Sequence, residues 1–451
     1  MEDTICAIST ALGVGAISIV RISGNDAINI VNNIFTGKDL TNVESHTIHY
    51  GYIKDKDELI DEVLISIMLS PKTYTTEDIV EINCHGGIST TNKILEVLLS
   101  NGCRLAEPGE FTKRAFLNGR IDLIKAESIG SLISSETEKS RTLSLNGVTG
   151  NITNMIKEIR KKLVAISANL EVNIDYPEYE DADQLTNTLI KPKIIEIKEE
   201  LEKLLKESKN GKMIQHGIDV AIIGKPNVGK SSLLNTLLEE DKAIVTNIAG
   251  TTRDIVEGKF ILNGIILNLI DTAGIRETND TVEKIGVNKS KEISEKAELI
   301  ILVLDNSEII TNEEINLINK LNSKNLIVYV NKNDLAKKFD INKVNCKQIV
   351  FGNTKNSKNI NSLKEKIIEL FNLEQIESTN MNYLSNSRQI SLVRKAIESL
   401  NNCLEQIENN IEIDLLAIDI KESFDLLGEI LGTTYKEELV DEIFANFCLG
   451  K

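Results

Sequence analysis

Short apolar runs separated by turn residues fill the first 118 positions. AISIVRISG, EVLISIMLS and DIVEINCHGG (up to its glycines) have the length and β-branched content of strands. NDAINIVNNIF and STTNKILEVLLSNG carry apolar residues at helical spacing and stop near glycine. The pattern predicts a small α+β domain over residues 1–118. From 119 to 215 the period becomes helical, with Met155, Ile156, Ile159, Leu163, Ile166 and Leu170 on one stripe. DYPEYEDAD (175–183) interrupts that run with a proline and a cluster of acids, and LIKPKIIEIKEELEKLLKE resumes it. Between 216 and 378 strands and helices alternate. IDVAIIG, GIILNLID, ELIILVLD and NLIVYVNK are apolar throughout, as buried parallel strands are. Helical spacing returns over 379–451, in RQISLVRKAIESLNNCLEQI and beyond. The expected architecture is multidomain: an α+β N-terminal domain, and an α/β domain inserted into a helical domain whose two halves pack together.

Length and composition narrow the classes. A chain of 451 residues holds two to four domains of ordinary size, and 41% hydrophobic with 26% charged residues is globular composition. The net charge of −17 opposes nucleic acid binding through the overall field, so any RNA contact needs a local basic patch or a partner protein. No apolar run reaches bilayer length, and MEDTICAIST lacks the basic start of a signal peptide. Six scattered cysteines without a CxxC pair, and four dispersed histidines, fit a reducing cytoplasm and argue against a disulfide framework or a zinc site.

The chemistry is concentrated in the α/β segment. Gly224 to Ser231 reads GKPNVGKS, the pattern GxxxxGK(S/T), between a strand and the helix SSLLNTLLEE. Glycines let the backbone wrap around phosphates, amide N–H groups at the helix start point inward, Lys230 neutralises β and γ oxygens, and Ser231 supplies a Mg²⁺ ligand. Asp271-Thr272-Ala273-Gly274 is a DxxG element directly after a strand, with an acid to hold Mg²⁺ through water and a glycine amide to sense the γ-phosphate. Thr251 and Thr252 lie in the preceding loop, where one of them completes the Mg²⁺ shell. Asn331-Lys332-Asn333-Asp334 is NKxD, whose Asp334 can accept the N1–H and 2-amino hydrogens of guanine, a pattern adenine lacks. Together the four motifs predict GTP binding. Asn353-Thr354-Lys355 occupies the place of a degenerate last guanine element, which predicts modest base affinity.

Two absences bear on hydrolysis. Ile275 follows DTAG where a water-positioning glutamine often stands, and no arginine finger is evident, although Arg253 and Arg276 are candidates. Glu283 is the nearest acid that could orient water, against the alternative of a solvated helix charge. A monovalent cation could supply the missing positive charge, and the carbonyl oxygen of Asn227 suits it. Elsewhere, His85 with Gly86 and Gly87 reads as a turn, and Cys448 as a free thiol.

The chain closely resembles the MnmE (TrmE) tRNA-modification GTPases along its whole length. The resemblance rests on AISIVRISG, DIVEINCHGG, PGEFTKRAFLNGRIDLIKAE, the P-loop, TNIAGTTRD, DTAGIRETNDTVEKIG, NKND and CLGK. It implies a GTP hydrolase that works with the flavin- and NADH-using partner MnmG (GidA) in a heterotetramer-type complex. Together they would add an aminomethyl or carboxymethylaminomethyl group to C5 of the wobble uridine of certain tRNAs. It further implies a cytoplasmic homodimer formed through the N-terminal domains, K⁺ and Mg²⁺ at the GTP site, and 5-formyl- or methylene-tetrahydrofolate on the N-terminal domain.

Residue by residue, the resemblance assigns GTP contacts to Asn227, Val228, Gly229, Lys230, Ser231 and Ser232, to Thr246, Asn247, Ile248, Ala249, Gly250, Thr251 and Thr252, to Asp271, Thr272, Ala273 and Gly274, and to Asn331, Lys332, Asn333 and Asp334. Asn227, Thr246, Ile248 and Thr251 match K⁺ ligands; Ser231 and Thr252 match Mg²⁺ ligands. Glu283 matches the residue that orients the attacking water, and Cys448 a cysteine important for modification. Arg21, Glu81, Arg120 and Lys451 match folate contacts.

Two other classes compete. A GTP-switched ribosome-assembly protein of the Era or Der kind would carry an RNA-binding KH-type domain or a second GTPase domain, and neither is visible in the sequence. A folate-dependent aminomethyl transferase with a regulatory GTPase would modify tRNA without the flavoprotein.

Overall fold

The computed structural model describes residues 3–175, 189–240, 256–270, 297–354, 360–376, 383–409, 411, 413–435 and 437–451. The acidic interruption after Asp175 lies outside the described residues. The chain divides into two compact units, one of 1–134, 145–201 and 391–451, the other of 135–144 and 202–390.

The first unit opens with a seven-stranded sheet in the order β3-β4-β5-β6-β2-β1-β7. Its strands are β1 (Ile5–Ile8), β2 (Ile17–Ser23), β3 (Phe35–Thr36), β4 (Thr47–Asp55), β5 (Glu58–Met68), β6 (Ile79–His85) and β7 (Arg104–Leu105). Neighbours are antiparallel except β1 and β7. Helices α1 (Ala27–Ile34) and α2 (Ile88–Ser100) bury Ile30, Val31, Ile94 and Leu98 against Val20, Ile22, Ile65 and Ile82 on one face. On the other face Ile5 and Ala7 pack with Ala106 and Phe111, while Ile17, Ile48, Tyr50 and Leu64 remain exposed. The strand β4 is not evident in the sequence, because its outward residues are aromatic and aliphatic as well as polar; pairing with β5 makes it a strand.

The helices α3 (Glu110–Leu117), α4 (Leu123–Ile133), α6 (Asn151–Asp175), α12 (Ile413–Leu431) and α13 (Glu437–Ala445) lie in this unit. Ile156, Ile159, Leu163, Ile166 and Leu170 of the predicted stripe are buried, and α6 packs along α12. The helix pair thus brings together segments from either side of the α/β insertion. Phe116, Leu123 and Ala126 meet Val440 and Phe444 of α13 in a separate small core. Helices α5 (Glu138–Thr149), α7 (Lys191–His216) and α11 (Ser387–Glu408) each contribute residues to both units.

The second unit holds a six-stranded sheet in the order β13-β12-β11-β8-β10-β9. It comprises β8 (Ile218–Ile223), β9 (Val256–Leu262), β10 (Ile265–Ile270), β11 (Leu299–Asp305), β12 (Leu326–Asn331) and β13 (Ile349–Phe351), parallel except for β9. Alternate residues of β11 enter different cores. Ile301 and Val303 join Leu233 and Leu237 of α8 (Lys230–Glu240) and Leu363 and Ile367 of α10 (Asn361–Phe371). Ile300, Leu302 and Leu304 join Ile318 and Leu321 of α9 (Asn312–Leu321). Burial on both faces is why these strands are apolar throughout. This is the P-loop α/β fold, and ligands of such sheets bind at the carboxyl ends of the strands.

Candidate functional site

In the second unit, β8 runs into the loop 224–229 and then into α8. Asn227 sits at φ 61° and Gly229 at φ 102°, so the loop folds back on itself before the helix starts. Val228 is buried and anchors the loop in the core below, whereas Ser231 and Ser232 are exposed in the first turn of α8. Lys230 Nζ donates to the Lys225 carbonyl at 2.6 Å, and burial lowers its pKa from the ordinary lysine value. A phosphate at the helix start would favour its charged form and oppose that lowering. Lys225 itself is tethered from α9: its Nζ donates to Thr311 Oγ1 at 3.0 Å and lies 3.2 Å from Glu314 Oε1. Thr311 and Glu314 form a capping box, which holds that carboxylate in place.

The NKND segment begins on the last residue of β12. Asn331 Nδ2 donates to the Val228 carbonyl at 2.8 Å, and Asn331 Oδ1 accepts the Thr354 N–H at 3.2 Å. One buried amide therefore joins three loops: the P-loop, NKND and the Asn353-Thr354 turn. Asn333 N–H donates to the Gly352 carbonyl at 3.0 Å, which adds a second tie to that turn. Asp334 is exposed at the rim. Lys332 has φ 58°, and its Nζ lies 2.5 Å from Asp305 Oδ2 at the end of β11. Burial pushes the Asp305 pKa up, but the hydrogen bonds from Lys332 and Ser307 outweigh it and hold the carboxyl below the ordinary value. Asp305 and Glu314 are absent from the motifs read in the sequence, and Lys225, although inside the P-loop motif, has no role assigned there. The sign for Asp305 is an acid ending the otherwise apolar run ELIILVLD. Thr246 to Thr252, Asp271 to Gly274, Glu283 and Lys355 lie outside the described residues, as do Arg253, Ile275 and Arg276.

A second cluster lies in the first unit. Arg21 on β2 and Glu81 on β6 are register partners, with Arg21 Nε and Nη2 at 2.9 and 2.8 Å from Glu81 Oε1. The Arg21 guanidinium carbon is 5.8 Å from the Tyr74 ring centre and 5.7 Å from that of Phe111, and the Arg120 one is 5.0 Å from Tyr74. Tyr74 OH is 2.9 Å from Thr112 Oγ1.

The CLGK segment is stitched to this place by its backbone. Gly109 N–H donates to the Cys448 carbonyl at 3.3 Å, Ser9 Oγ to that of Gly450 at 3.1 Å, and Phe111 N–H to that of Lys451 at 3.2 Å. Gly450 has φ 85°, and a Cβ there would collide with the Ile8 carbonyl. Burial and then the charge of Arg21 lower the Lys451 pKa, with Cys448 and Glu81 opposing. The structure thus gathers Arg21, Glu81, Arg120, Lys451 and Cys448, and adds Tyr74 and Phe111, which sequence reasoning missed. Phe111 is fully buried and Tyr74 half-buried, so Tyr74 is the ring that can face a ligand beside the charged groups of Arg21, Glu81 and Arg120. His85 stands apart at the end of β6, with Nδ1 2.7 Å from Asp61 Oδ1.

Among the described residues no helix is long and apolar enough to cross a membrane. Two family models match: "GTP-binding protein TrmE N-terminus" over residues 4–120 and "MnmE helical domain" over 123–448. A curated "tRNA modification GTPase MnmE" of Bacillus cytotoxicus is 50% identical over all of this chain and 99% of its own length. The Bacillus mycoides protein of the same name is 49% identical with the same coverage. Among solved structures, the G domain of the T. maritima FeoB iron transporter is 28% identical over 34% of this chain and 98% of its own, with a TM-score of 0.26. With half of all positions identical along the full length, the chain belongs to the MnmE family of tRNA modification GTPases.

Proposed function

We propose that the second unit binds and hydrolyses GTP, and that the first unit holds a reduced folate whose one-carbon unit goes to C5 of a tRNA wobble uridine, with the flavoprotein MnmG as partner. The observation that carries the GTP reading is the Asn331 amide, which joins the P-loop carbonyl of Val228 to the Thr354 N–H. Phosphate loop and base-recognition loop are thereby tied into one surface.

In this reading Lys230 leaves the Lys225 carbonyl for the β and γ oxygens, and the α8 N–H groups take the remaining phosphate charge. Asp334 accepts the guanine N1–H and 2-amino hydrogens. Ser231 and Thr252 would hold Mg²⁺; the exposed Ser231 hydroxyl at the helix start suits a hard cation. Asn227, Thr246, Ile248 and Thr251 would hold K⁺, and the outward-turned Asn227 loop suits it. When bound, these cations supply positive charge to the phosphates. Glu283 orients the attacking water.

In the first unit Arg21, Arg120 and Lys451 would bind the anionic part of the folate, with Glu81 fixing Arg21 and Tyr74 presenting a ring. Cys448 sits on the strap that carries Lys451. The exposed Ile48, Tyr50 and Leu64 on the open face of the first sheet support a homodimer through that face.

Base recognition is tested by Asp334→Asn. The expected result is weaker GTP binding and gained xanthine-nucleotide binding; unchanged affinity and preference would remove NKND from the site. The tRNA reading is tested by mass spectrometry of wobble nucleosides from a deletion strain, with and without the flavoprotein. Normal C5-modified uridines in that strain would overturn it.

A further inference from the structure

We propose that Asp305 is a positioning residue for nucleotide binding: it captures the Lys332 ammonium so that the lysine stem, not its charge, forms part of the base slot. This rests on the guanine-site reading above.

The geometry is specific. Asp305 ends β11 in register with Asn331, and the Asn306 N–H donates to the Asn331 carbonyl at 2.9 Å, so the two strand ends are locked side by side. The Asp305 side chain is only 4% exposed. Its Oδ1 accepts from Ser307 N–H at 2.8 Å and Ser307 Oγ–H at 2.7 Å, which leaves Oδ2 aimed at Lys332. The carboxylate is therefore oriented by its own loop, without help from the lysine. At Lys332 the left-handed backbone separates two consecutive side chains: Asn331 goes to the P-loop and Lys332 goes to Asp305.

The consequence concerns charge. A lysine ammonium held in an ion pair with a nearly dry carboxylate has its charge offset there and is not free to serve the phosphates as Lys230 does. A four-carbon stem with a free end samples many rotamers, and one with a pinned end is a fixed apolar wall. Loss of Asp305 would therefore weaken GDP and GTP alike. If Lys332 instead served the phosphates, freeing it from Asp305 would favour GTP over GDP.

The experiment is a fluorescent-nucleotide titration of the full chain with GDP and GTP, for wild type, Asp305→Asn, Lys332→Ala and the double variant, with thermal unfolding as a check on folding. Asp305→Asn is expected to weaken both nucleotides by about tenfold and equally. Lys332→Ala is expected to do the same, and the double variant to lose no more than either. Asp305→Glu is expected to recover part of the loss. If Asp305→Asn folds poorly, Ser307→Ala reads the same device, with a smaller loss equal for both nucleotides. Additive losses, unchanged affinity, or a GTP-selective gain would each overturn the proposal. Asp334→Asn run alongside separates the two readings. If it weakens binding while Asp305→Asn does not, only the Asp305 role falls; if it has no effect, the guanine site falls.

Discussion

Asn331 reaches the P-loop because Gly229 has no side chain: a Cβ on Gly229 would collide with Asn331 Nδ2. The same glycine holds φ 102°, which side-chain-bearing residues rarely adopt. Gly229→Ala is therefore expected to break the amide bridge as well as strain the loop. Asn331→Ala breaks the bridge without the strain, and leaves the Val228 carbonyl and Thr354 N–H unpaired at a cost of about 1–3 kcal/mol. Both variants are expected to bind GDP and GTP about ten- to a hundredfold more weakly in equilibrium titration. Wild-type affinity for Asn331→Ala would show that the bridge does not shape the site.

With no arginine finger evident in the sequence, the source of positive charge in hydrolysis is open to test. In small GTPases a supplied arginine is worth about 10³–10⁵ in rate. If K⁺ fills that role, turnover is expected to rise in KCl and far less in matched NaCl, and Asn227→Ala is expected to lose the difference. Glu283→Ala is expected to lose most of the stimulated rate while GTP binding stays, because water placement matters chiefly in the transition state. Steady-state hydrolysis in the two salts decides it. Equal wild-type rates would return attention to Arg253 and Arg276.

Lys451 gives the folate reading a pH signature. Burial first, and Arg21 next, hold its pKa below the ordinary lysine value of 10.5. A depressed lysine carries its burden in the folded state below that pKa and is relieved as pH rises through the window up to 10.5. An anionic ligand favours the charged form, so binding takes up a proton inside the window. Affinity for 5-formyl-tetrahydrofolate is expected to fall with rising pH earlier than an ordinary lysine predicts. Removing Lys451 is expected to weaken binding and to abolish that pH dependence, while GTP turnover persists. Calorimetry at several pH values checks both, and full affinity after truncation would take Lys451 out of the site.

Arg114 on α3 is fully buried and meets three carboxylates: Asp3 Oδ1 at 2.8 Å, Glu110 Oε1 at 3.0 Å and Glu77 Oε1 at 3.1 Å. Arg114→Met removes the cation and leaves those acids close together. The expected cost is about 3–5 kcal/mol in the first unit, with Arg114→Lys in between. Denaturant unfolding followed by near-ultraviolet dichroism measures it. A loss below about 1 kcal/mol would mean that the carboxylates simply protonate or swing to water.

Local chemistry made much of this protein legible from its residues alone. GKPNVGKS needs only its own eight residues and the strand and helix beside it, and NKND needs only a strand end. Burial on both faces wrote the apolar runs that became β8, β10, β11 and β12. The strands β4, β9 and β13 were not legible, since pairing with neighbours rather than their own periodicity makes them strands.

The side-chain partnerships needed the tertiary structure for the same reason. Asp305 meets Lys332 because β11 and β12 lie in parallel register, a relationship between two strands that neither strand's sequence states. Tyr74 stands near both Arg21 and Arg120, and the CLGK backbone reaches Ser9 and Phe111, only once the first sheet and α3 have folded. A motif is visible when its atoms are close along the chain. A site assembled from distant residues exists only after folding has paid the entropy of bringing them together.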